Sequence, residues 1–328
     1  MKERCNLFMT FLLDNITIQP KCQEKIERIA SRILYKEKLY FPVQQILYNS
    51  PHLAPDSKQL ERFSDCGKFL VINKNDGKIQ KANFCKQRLC PVCNYIKSSV
   101  AWHKIKKCVE WIKETNPGVN FIFMTLTVQN CKGEELNVTI NNILQGFRRL
   151  TNRKTWAKSV LGAIRGLEIT YNSKLNSFHP HIHILAVVPA DYFSAESGKY
   201  ITVDMLREWW TESAQLDYFV QVDVRAISQT DDAIAEVAKY AIKMSDLLLN
   251  SNEEDKIKAT EWIYNCTHGR RLIACLGCFK KAMKQLKLSD LDDFETEQGI
   301  RNPEDVSVMW SHKSKSFKEV KYDIQSNN

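Results

Sequence analysis

The chain has 328 residues, of which 44% are hydrophobic, and its 47 Lys and Arg against 38 Asp and Glu give a formal net charge of +9. This length can bury a core in one large domain or two smaller ones. The apolar run FMTFLL at 8–13 is followed by Asp14 and Asn15, so we expect no secretory signal, no membrane span and a cytoplasmic location. The excess of basic over acidic residues favours an anionic partner, with nucleic acid as the leading candidate.

The N-terminal part of the chain predicts helices. Residues 22–48 alternate charged and apolar side chains as amphipathic helices do, and Pro42 is the expected helix boundary. We therefore predict a helical region over 1–62. A cysteine-bearing segment with its following helix is predicted over 63–115.

That segment has the spacing of a metal site. The chain holds 11 cysteines, an odd number, which favours metal ligation or buried thiols over a disulfide framework. Cys85, Cys90 and Cys93 supply three thiolates, and Cys66 in DCGKF is the natural fourth ligand of a closed, structural Zn²⁺ site. The alternatives are buried free thiols, or a substitute for the fourth ligand, namely His103 or Cys108.

From about 119 to 249, strand-like and helix-like segments are mixed, which predicts an α+β fold of the split βαβ type. In the strand-like HPHIHILAVV, His181 and His183 point to one face. Glu168 alternates with apolar neighbours in RGLEITY, and the linker NSKLNS suits a hairpin that would bring it beside the histidines. Such a triad could hold a catalytic divalent ion, with His179 either supporting a ligand or facing the substrate. The alternatives are a solvated strand face or a non-haem iron oxygenase site.

A second candidate group lies on the predicted helix 228–249. Glu236, Tyr240 and Lys243 are spaced i, i+4, i+7 on the face opposite its apolar stripe. A tyrosine hydroxyl attacks only an activated centre. Beside a divalent ion it could cleave a phosphodiester, which gives a 5′-phosphotyrosyl bond and a free 3′-hydroxyl, with Lys243 stabilising the phenolate or the phosphate. The alternative is an exposed tyrosine among surface charges.

Three motifs resemble a known family. FMTLTV at 123–128, HPHIHIL at 179–185 and EVAKYAIK at 236–243 are similar, in order and spacing, to the motifs of HUH-superfamily rolling-circle replication initiators of small bacterial plasmids. The similarity extends from residue 66 to about 283. It implies an HUH endonuclease domain, for which we predict the bounds 116–285, with an antiparallel central sheet and helices.

The resemblance also implies roles for individual residues. His181 and His183 match the metal-binding pair, Glu168 the third ligand, Tyr240 the nicking nucleophile, and Glu236 a glutamate that activates the terminating hydrolysis. The catalytic ion would be Mg²⁺ or Mn²⁺. The first motif, with Thr125 and Thr127, would be a strand that supports the site.

The implied partners are plasmid origin DNA, single-stranded or extruded as a hairpin at the nick site, and a host helicase with its replication machinery. The stretches 148–158 and 269–272 have a composition suited to phosphate contact, although basic clusters are often only solvated faces. The candidate DNA-binding residues are Arg148, Arg149, Arg153, Lys154, Arg270 and Arg271. Residues 286–328 are polar and charged and end in the lysine-bearing stretch SHKSKSFKEVKYDIQSNN, from which we predict a basic, flexible tail.

Some alternatives remain open from sequence. An HUH transposase or relaxase would use the same chemistry, and a zinc-dependent DNA-binding regulator would use none. A second metal site is a further possibility, because four residues near the end of the predicted domain have metal-like spacing, although the resemblance argues against it. They are Cys266, His268, Cys275 and Cys278.

Overall fold

The computed structural model describes residues 19–49, 57–239, 252–294 and 302–320, together with the short strand Leu13–Asp14. Contacts divide the chain into two compact units, 1–95 with 295–328, and 96–294. The predicted boundaries at 62 and 115 do not coincide with this division. No helix of the described residues is long and apolar enough to cross a membrane.

The first unit contains helices and a five-stranded sheet. The sheet has the order β1-β10-β9-β2-β3. Its helices are α1 (Pro20–Asn49) and α2 (Ser57–Asp65). Its strands are β1 (Leu13–Asp14), β2 (Phe69–Asn73), β3 (Ile79–Ala82), β9 (Asp305–Ser311) and β10 (Ser316–Glu319).

Helix α1 corrects one prediction, because Pro42 lies inside it and is not a boundary. A proline within a helix removes a backbone hydrogen bond and crowds the preceding turn. Here the buried side chains of Leu39, Val43 and Ile46 continue one apolar stripe past the proline. Burial of this stripe outweighs the local penalty.

The predicted flexible tail over 286–328 is wrong for residues 305–319, which form β9 and β10. Strand β9 pairs antiparallel with β2, so that Val308 faces Leu70, and the Asn73 side chain donates to Asp305 at 3.2 Å. Alternate residues of this charged segment are buried, including Val308 and Trp310. Their partner strand lies more than 200 residues earlier in the chain, and local composition carries no signal of it.

The second unit contains a five-stranded antiparallel sheet of order β7-β4-β6-β5-β8. This confirms the predicted α+β fold with an antiparallel central sheet. The strands are β4 (Asn120–Thr127), β5 (Gly162–Asn172), β6 (Ser177–Val188), β7 (Val222–Ile227) and β8 (Ile273–Leu276). The helices are α3 (Pro91–Thr115, which starts in the first unit), α4 (Gly133–Thr151), α5 (Lys154–Ser159), α6 (Val203–Ala214), α7 (Asp231–Ala238), α8 (Glu253–Thr267) and α9 (Gly277–Gln285).

Helices cover both faces of this sheet. On one face, Phe123 and Leu185 join a buried cluster with residues of α3, α7 and α9. On the other face, the Arg165 guanidinium lies 5.9 Å from the ring centre of Phe147 in α4. Successive residues of each strand point to opposite faces, and both faces are covered by helices. This explains why the strand sequences are nearly continuous apolar runs.

Candidate metal centres

The four predicted cysteines come together. Cys66 follows α2, Cys85 follows β3, Cys90 directly precedes α3, and Cys93 lies in the first turn of α3. Their sulfur atoms lie 3.4 Å apart for Cys66 and Cys93, 3.5 Å for Cys66 and Cys90, and 3.7 Å for Cys85 and Cys93. A tetrahedral Zn²⁺ with Zn–S bonds of 2.3 Å needs sulfur separations of about 3.8 Å. The donor set therefore fits a closed tetrathiolate site.

Backbone groups around these sulfurs favour thiolates. The Cys85 amide donates to Cys66 Sγ at 3.3 Å, and the Lys86 amide donates to Cys93 Sγ at 3.2 Å. Lys86 has a left-handed backbone with φ 58°. Burial raises the pKa of the Cys90 thiol, but hydrogen bonds from the other three cysteines outweigh it and hold that pKa well below its usual range. By contrast, burial raises the pKa of Cys85, and hydrogen bonds with the other cysteines raise the pKa of Cys93.

A buried lysine adjoins this cluster. Lys36 of α1 is 2% exposed, and its ammonium donates to the carbonyl oxygens of Ser64 and Cys66, both at 2.8 Å. Burial lowers the pKa of Lys36, while the nearby Cys90 and Cys66 thiols act in the opposite direction. Four thiolates around one divalent ion carry a net charge of about −2, which a buried ammonium offsets.

If the four cysteines hold Zn²⁺, Lys36→Met should destabilise the Zn²⁺-loaded first unit. The change keeps the apolar stem but leaves two buried carbonyls without their donor and the thiolates without a counter-charge. We expect a loss of about 2 kcal/mol in the free energy of unfolding and faster release of Zn²⁺ to a chromogenic chelator. Lys38→Met is the matched control, since Lys38 is exposed on the same helix. Equal release rates in the two variants would contradict this role.

The predicted Glu–His–His triad is also assembled. In the antiparallel pairing of β5 and β6, Glu168 stands opposite His181 and Gly166 opposite His183. Glu168 Oε2 lies 3.4 Å from His181 Nε2 and 3.0 Å from His183 Nε2. Glu168 and His181 are buried. One ligand atom from each residue lies within 4.8 Å of the others, a spacing compatible with one metal ion.

The far nitrogen of each imidazole is held by the protein. His181 Nδ1 lies 3.1 Å from the His179 carbonyl oxygen, and His183 Nδ1 lies 3.2 Å from Thr125 Oγ1. A carbonyl only accepts, so Nδ1 of His181 carries the proton and its Nε2 is the nitrogen available to a metal. His179 thus lies beside the triad and acts through its backbone. Thr125, for which only a supporting strand was expected, orients a ligand.

The charge state of the triad suits a cation. Burial raises the pKa of Glu168, but hydrogen bonds and coulombic attraction from His181 and His183 outweigh it and hold that pKa well below its usual range. The carboxylate is therefore ionised at neutral pH. Two imidazoles and one carboxylate form an open set of three ligands, which suits a catalytic ion more than a structural one.

Thr125→Val should weaken ion binding at the triad about 10-fold, because it removes the hydroxyl that holds the His183 ring without changing side-chain size. Isothermal titration with Mn²⁺ measures this directly. Thr127→Val is the control, since the Thr127 hydroxyl donates to the Gln221 carbonyl and not to a histidine. Unchanged affinity in Thr125→Val would show that packing alone orients the ring.

Helix α7 lies directly on the triad face of the sheet. A Cβ built at Gly166 would stand 2.4 Å from the Val237 carbonyl oxygen, so only glycine permits this approach. Gly166 and Glu168 are two residues apart on β5, so they lie on the same face of the sheet. The last turn of α7 is therefore packed next to the Glu168–His181–His183 triad.

The predicted single helix over 228–249 is wrong, because α7 ends at Ala238 and Lys239 has an extended backbone with ψ 134°. The shared-face argument for Glu236, Tyr240 and Lys243 therefore does not hold. Tyr240 and Lys243 lie outside the described residues. Glu236 is described and forms an ion pair with Lys239.

A cavity of about 450 Å³ joins Glu236 to the triad. His183 lies on its wall, as do Phe123, Arg225 and Asp232. Phe123 stacks on His183 with ring centres 5.5 Å apart, and the Arg225 guanidinium lies 5.0 Å from the Phe123 ring centre. Sequence reasoning did not single out Phe123 or Arg225, although their strand parity places them with Thr125 and His183.

The predicted basic residues are not gathered at the triad. Arg148 and Arg149 lie in the last turn of α4, and Arg153 and Lys154 follow at the start of α5, on the opposite face of the sheet and towards the end where β6 finishes. Arg149 donates to the Ser213 carbonyl, and Arg153 pairs with Glu212. Arg148 and Lys154 are exposed.

Arg270 and Arg271 stand nearer to the triad, because Leu272 binds the backbone of Leu167, the neighbour of Glu168. Arg270 donates to Asn137 and Asn141, and Arg271 pairs with Asp290. Both arginines are thus engaged within the protein.

The second cysteine group is not assembled as a metal site. Among the described residues, only the Cys66 cluster and the Glu168 triad bring three or more ligands within range of one ion. Burial raises the pKa of Cys266 and Cys278 to about 11 and that of Cys275 to about 12, as expected for protonated thiols. Cys22 and Cys131 are likewise buried free thiols, whereas Cys5 lies outside the described residues.

Comparison with known proteins supplies the family. The model of the replication-protein family Rep_1 matches residues 76–321. "Protein rep" of Streptococcus pneumoniae serotype 2 is 34% identical over 241 residues, which cover 71% of this chain and 74% of that protein. "Protein rep" of Lactiplantibacillus plantarum is 27% identical over 93% of this chain and 96% of its own length.

A "Replication protein" of Staphylococcus aureus is 32% identical over 65% of this chain and 95% of its own length. No solved structure matches. The family match confirms the resemblance to replication initiators that the motifs predicted. The chain belongs to the Rep_1 family of replication proteins.

Proposed function

We propose that the chain initiates rolling-circle replication of a plasmid by nicking one DNA strand at the origin through a tyrosyl intermediate. The observation that carries the proposal is the triad of the buried Glu168 and His181 with the partly buried His183, which lies beside the last turn of α7, a few residues before Tyr240 in the sequence. Membership of the replication-protein family supports the biological role.

The chain's connectivity supports Tyr240 as the nucleophile. Val237 contacts Gly166, which pairs with His183. Tyr240 follows Val237 by three residues in the sequence, and three residues of fully extended chain span at most roughly 11 Å. This short separation from a residue that contacts the triad strand is the reason for proposing Tyr240 as the nucleophile.

Glu168, His181 and His183 would hold the divalent ion, Mg²⁺ or Mn²⁺. The chemistry such an ion supplies when bound is polarisation of a phosphoryl oxygen. Tyr240 attacks phosphorus, so that one Tyr–O–P bond forms and the bond from phosphorus to the 3′-oxygen breaks. The phenol loses its proton to a base and the 3′-oxygen gains one. The freed 3′-hydroxyl can prime a polymerase.

Glu236 is suited to the later step. It lies on the wall of the cavity that His183 also lines. A carboxylate there can take a proton from water as the water oxygen attacks the phosphotyrosyl phosphorus. The bond from phosphorus to the Tyr240 oxygen breaks, the phenolate takes up a proton, and the DNA leaves with a 5′-phosphate. Lys243, outside the described residues, is proposed to stabilise the phenolate or the phosphate. The Cys66, Cys85, Cys90 and Cys93 cluster is proposed to hold structural Zn²⁺.

The test uses labelled single-stranded oligonucleotides tiled across the replicon that encodes the chain. Each is incubated with the full-length protein and Mn²⁺, Mg²⁺ or EDTA, and the products are resolved on a denaturing gel. We expect a covalent protein–DNA band from one oligonucleotide, with either metal but not with EDTA. Binding without cleavage of any oligonucleotide would overturn the nicking proposal and favour a DNA-binding regulator.

A further inference from the structure

Phe219 is the most exposed large hydrophobic side chain among the described residues, at 74%. It lies in the loop between α6 and β7. The Arg207 guanidinium stands 4.9 Å from its ring centre, a cation–π distance. Because Arg207 covers one face of the ring and the side chain stays largely exposed, the opposite face is open to a planar ligand.

The loop that carries Phe219 is tied to the metal end of the sheet. The Gln129 amide donates to the Tyr218 hydroxyl at 3.2 Å, and the Thr127 hydroxyl donates to the Gln221 carbonyl at 2.6 Å. Thr127 pairs with His181 across β4 and β6. Residues on both sides of Phe219 are therefore bound to the strand end that adjoins the triad.

Base stacking is the chemistry that fits this ring. An exposed aromatic side chain stacks on an unpaired base whatever the sequence, and Arg207, whose guanidinium also pairs with Asp204, adds a cation–π contact to the ring. The net charge of +9 favours a polyanionic partner over an apolar one. A single ring supported by a cation is too small and too polar for a protein-docking patch.

We propose that Phe219 is a stacking platform for one unpaired base of the DNA strand that enters the Glu168–His181–His183 site, with Arg207 supporting the ring from behind. This inference rests on the proposed function. Stacking fixes the position of a nucleotide near the scissile phosphate, so Phe219 is a positioning residue and does not touch the reacting atoms.

The chain offers a matched control at Phe193. This phenylalanine is 48% exposed and lies beyond the end of β6, where Val188 pairs with Asn120. That is the opposite end of the sheet from the triad. Phe193→Ala removes an equivalent exposed ring and should leave DNA binding unchanged.

The experiment measures fluorescence anisotropy of the oligonucleotide that the wild-type protein cleaves, with EDTA present to prevent cleavage. Single abasic substitutions are placed in turn at each position near the nick. In wild-type protein, one position should weaken binding about 5- to 100-fold, the range expected for one stacked base. Phe219→Ala should bind the intact strand more weakly by a similar factor and should lose sensitivity to that abasic position. Phe219→Trp should restore both.

Two results would overturn the proposal that Phe219 is a stacking platform. The first is that Phe219→Ala binds the intact strand as tightly as Phe193→Ala does. The second is that the abasic substitution still weakens binding to Phe219→Ala, because the losses from two groups that contact each other must be non-additive. If the wild-type protein cleaves no oligonucleotide, the nicking proposal fails separately. A mixed-sequence 20-nucleotide strand then tests the platform by comparing wild-type protein, Phe219→Ala and Phe193→Ala.

Discussion

Tyr240→Phe should abolish the covalent protein–DNA adduct, because phenylalanine has no atom that can form the bond to phosphorus. We expect adduct and 3′-hydroxyl product to fall at least about 1,000-fold, below detection on a denaturing gel. Binding of the uncleaved oligonucleotide should remain within about twofold, because the substitution removes one hydroxyl from a residue assigned to chemistry.

Tyr200→Phe is the matched control, since Tyr200 is 52% exposed and follows the end of β6 that lies away from the triad. It should form adduct at the wild-type rate. A persistent adduct in Tyr240→Phe would move the nucleophile to another residue. Mass spectrometry of the peptide linked to a nucleotide would then identify that residue.

His181→Ala and His183→Ala should each remove metal-dependent cleavage. Loss of one imidazole leaves two ligands, and it leaves the buried Glu168 carboxylate with one histidine partner instead of two. Loss of the Lewis acid costs several kcal/mol of transition-state stabilisation, which corresponds to a rate loss of a thousandfold or about that order. Isothermal titration with Mn²⁺ should show the matching loss of ion binding in the absence of DNA.

His179→Ala provides the comparison. Its imidazole stacks on His181 at 5.2 Å, but the atom that orients His181 is the backbone carbonyl of residue 179, which the substitution keeps. We therefore expect Mn²⁺ binding close to wild type. Equal losses in His179→Ala and His181→Ala would mean that the triad is not the ion site.

The triad could be predicted because it depends on the simplest rule of strand geometry. His181 and His183 alternate with apolar residues, and the short linker before them brings Glu168 across by a hairpin. The Cys66 cluster could be predicted in the same way, because Cys85, Cys90 and Cys93 have the spacing typical of thiolates that surround one tetrahedral ion.

Features that depend on long-range packing could not be read from the sequence. The close approach of α7 to Gly166 joins segments about 70 residues apart, and nothing local marks that glycine as a contact point. Lys36 reads as one of several helix lysines, and only the fold buries it beside the cysteines. Helix α7 ends at Ala238 although the helical pattern of apolar residues continues beyond it. Periodicity shows which side chains share an apolar face, but it does not show where the helix ends.

Pairing of β9 with β2 has a consequence for synthesis on the ribosome. The β2 strand has β3 on one side and β9 on the other, and β9 is translated more than 200 residues later. Residues 96–294 can emerge and collapse on their own contacts while one edge of β2 still lacks its neighbour. A stop codon before residue 305 would leave that edge permanently open to aggregation, so expression of the first unit requires the last strands to be fused to it.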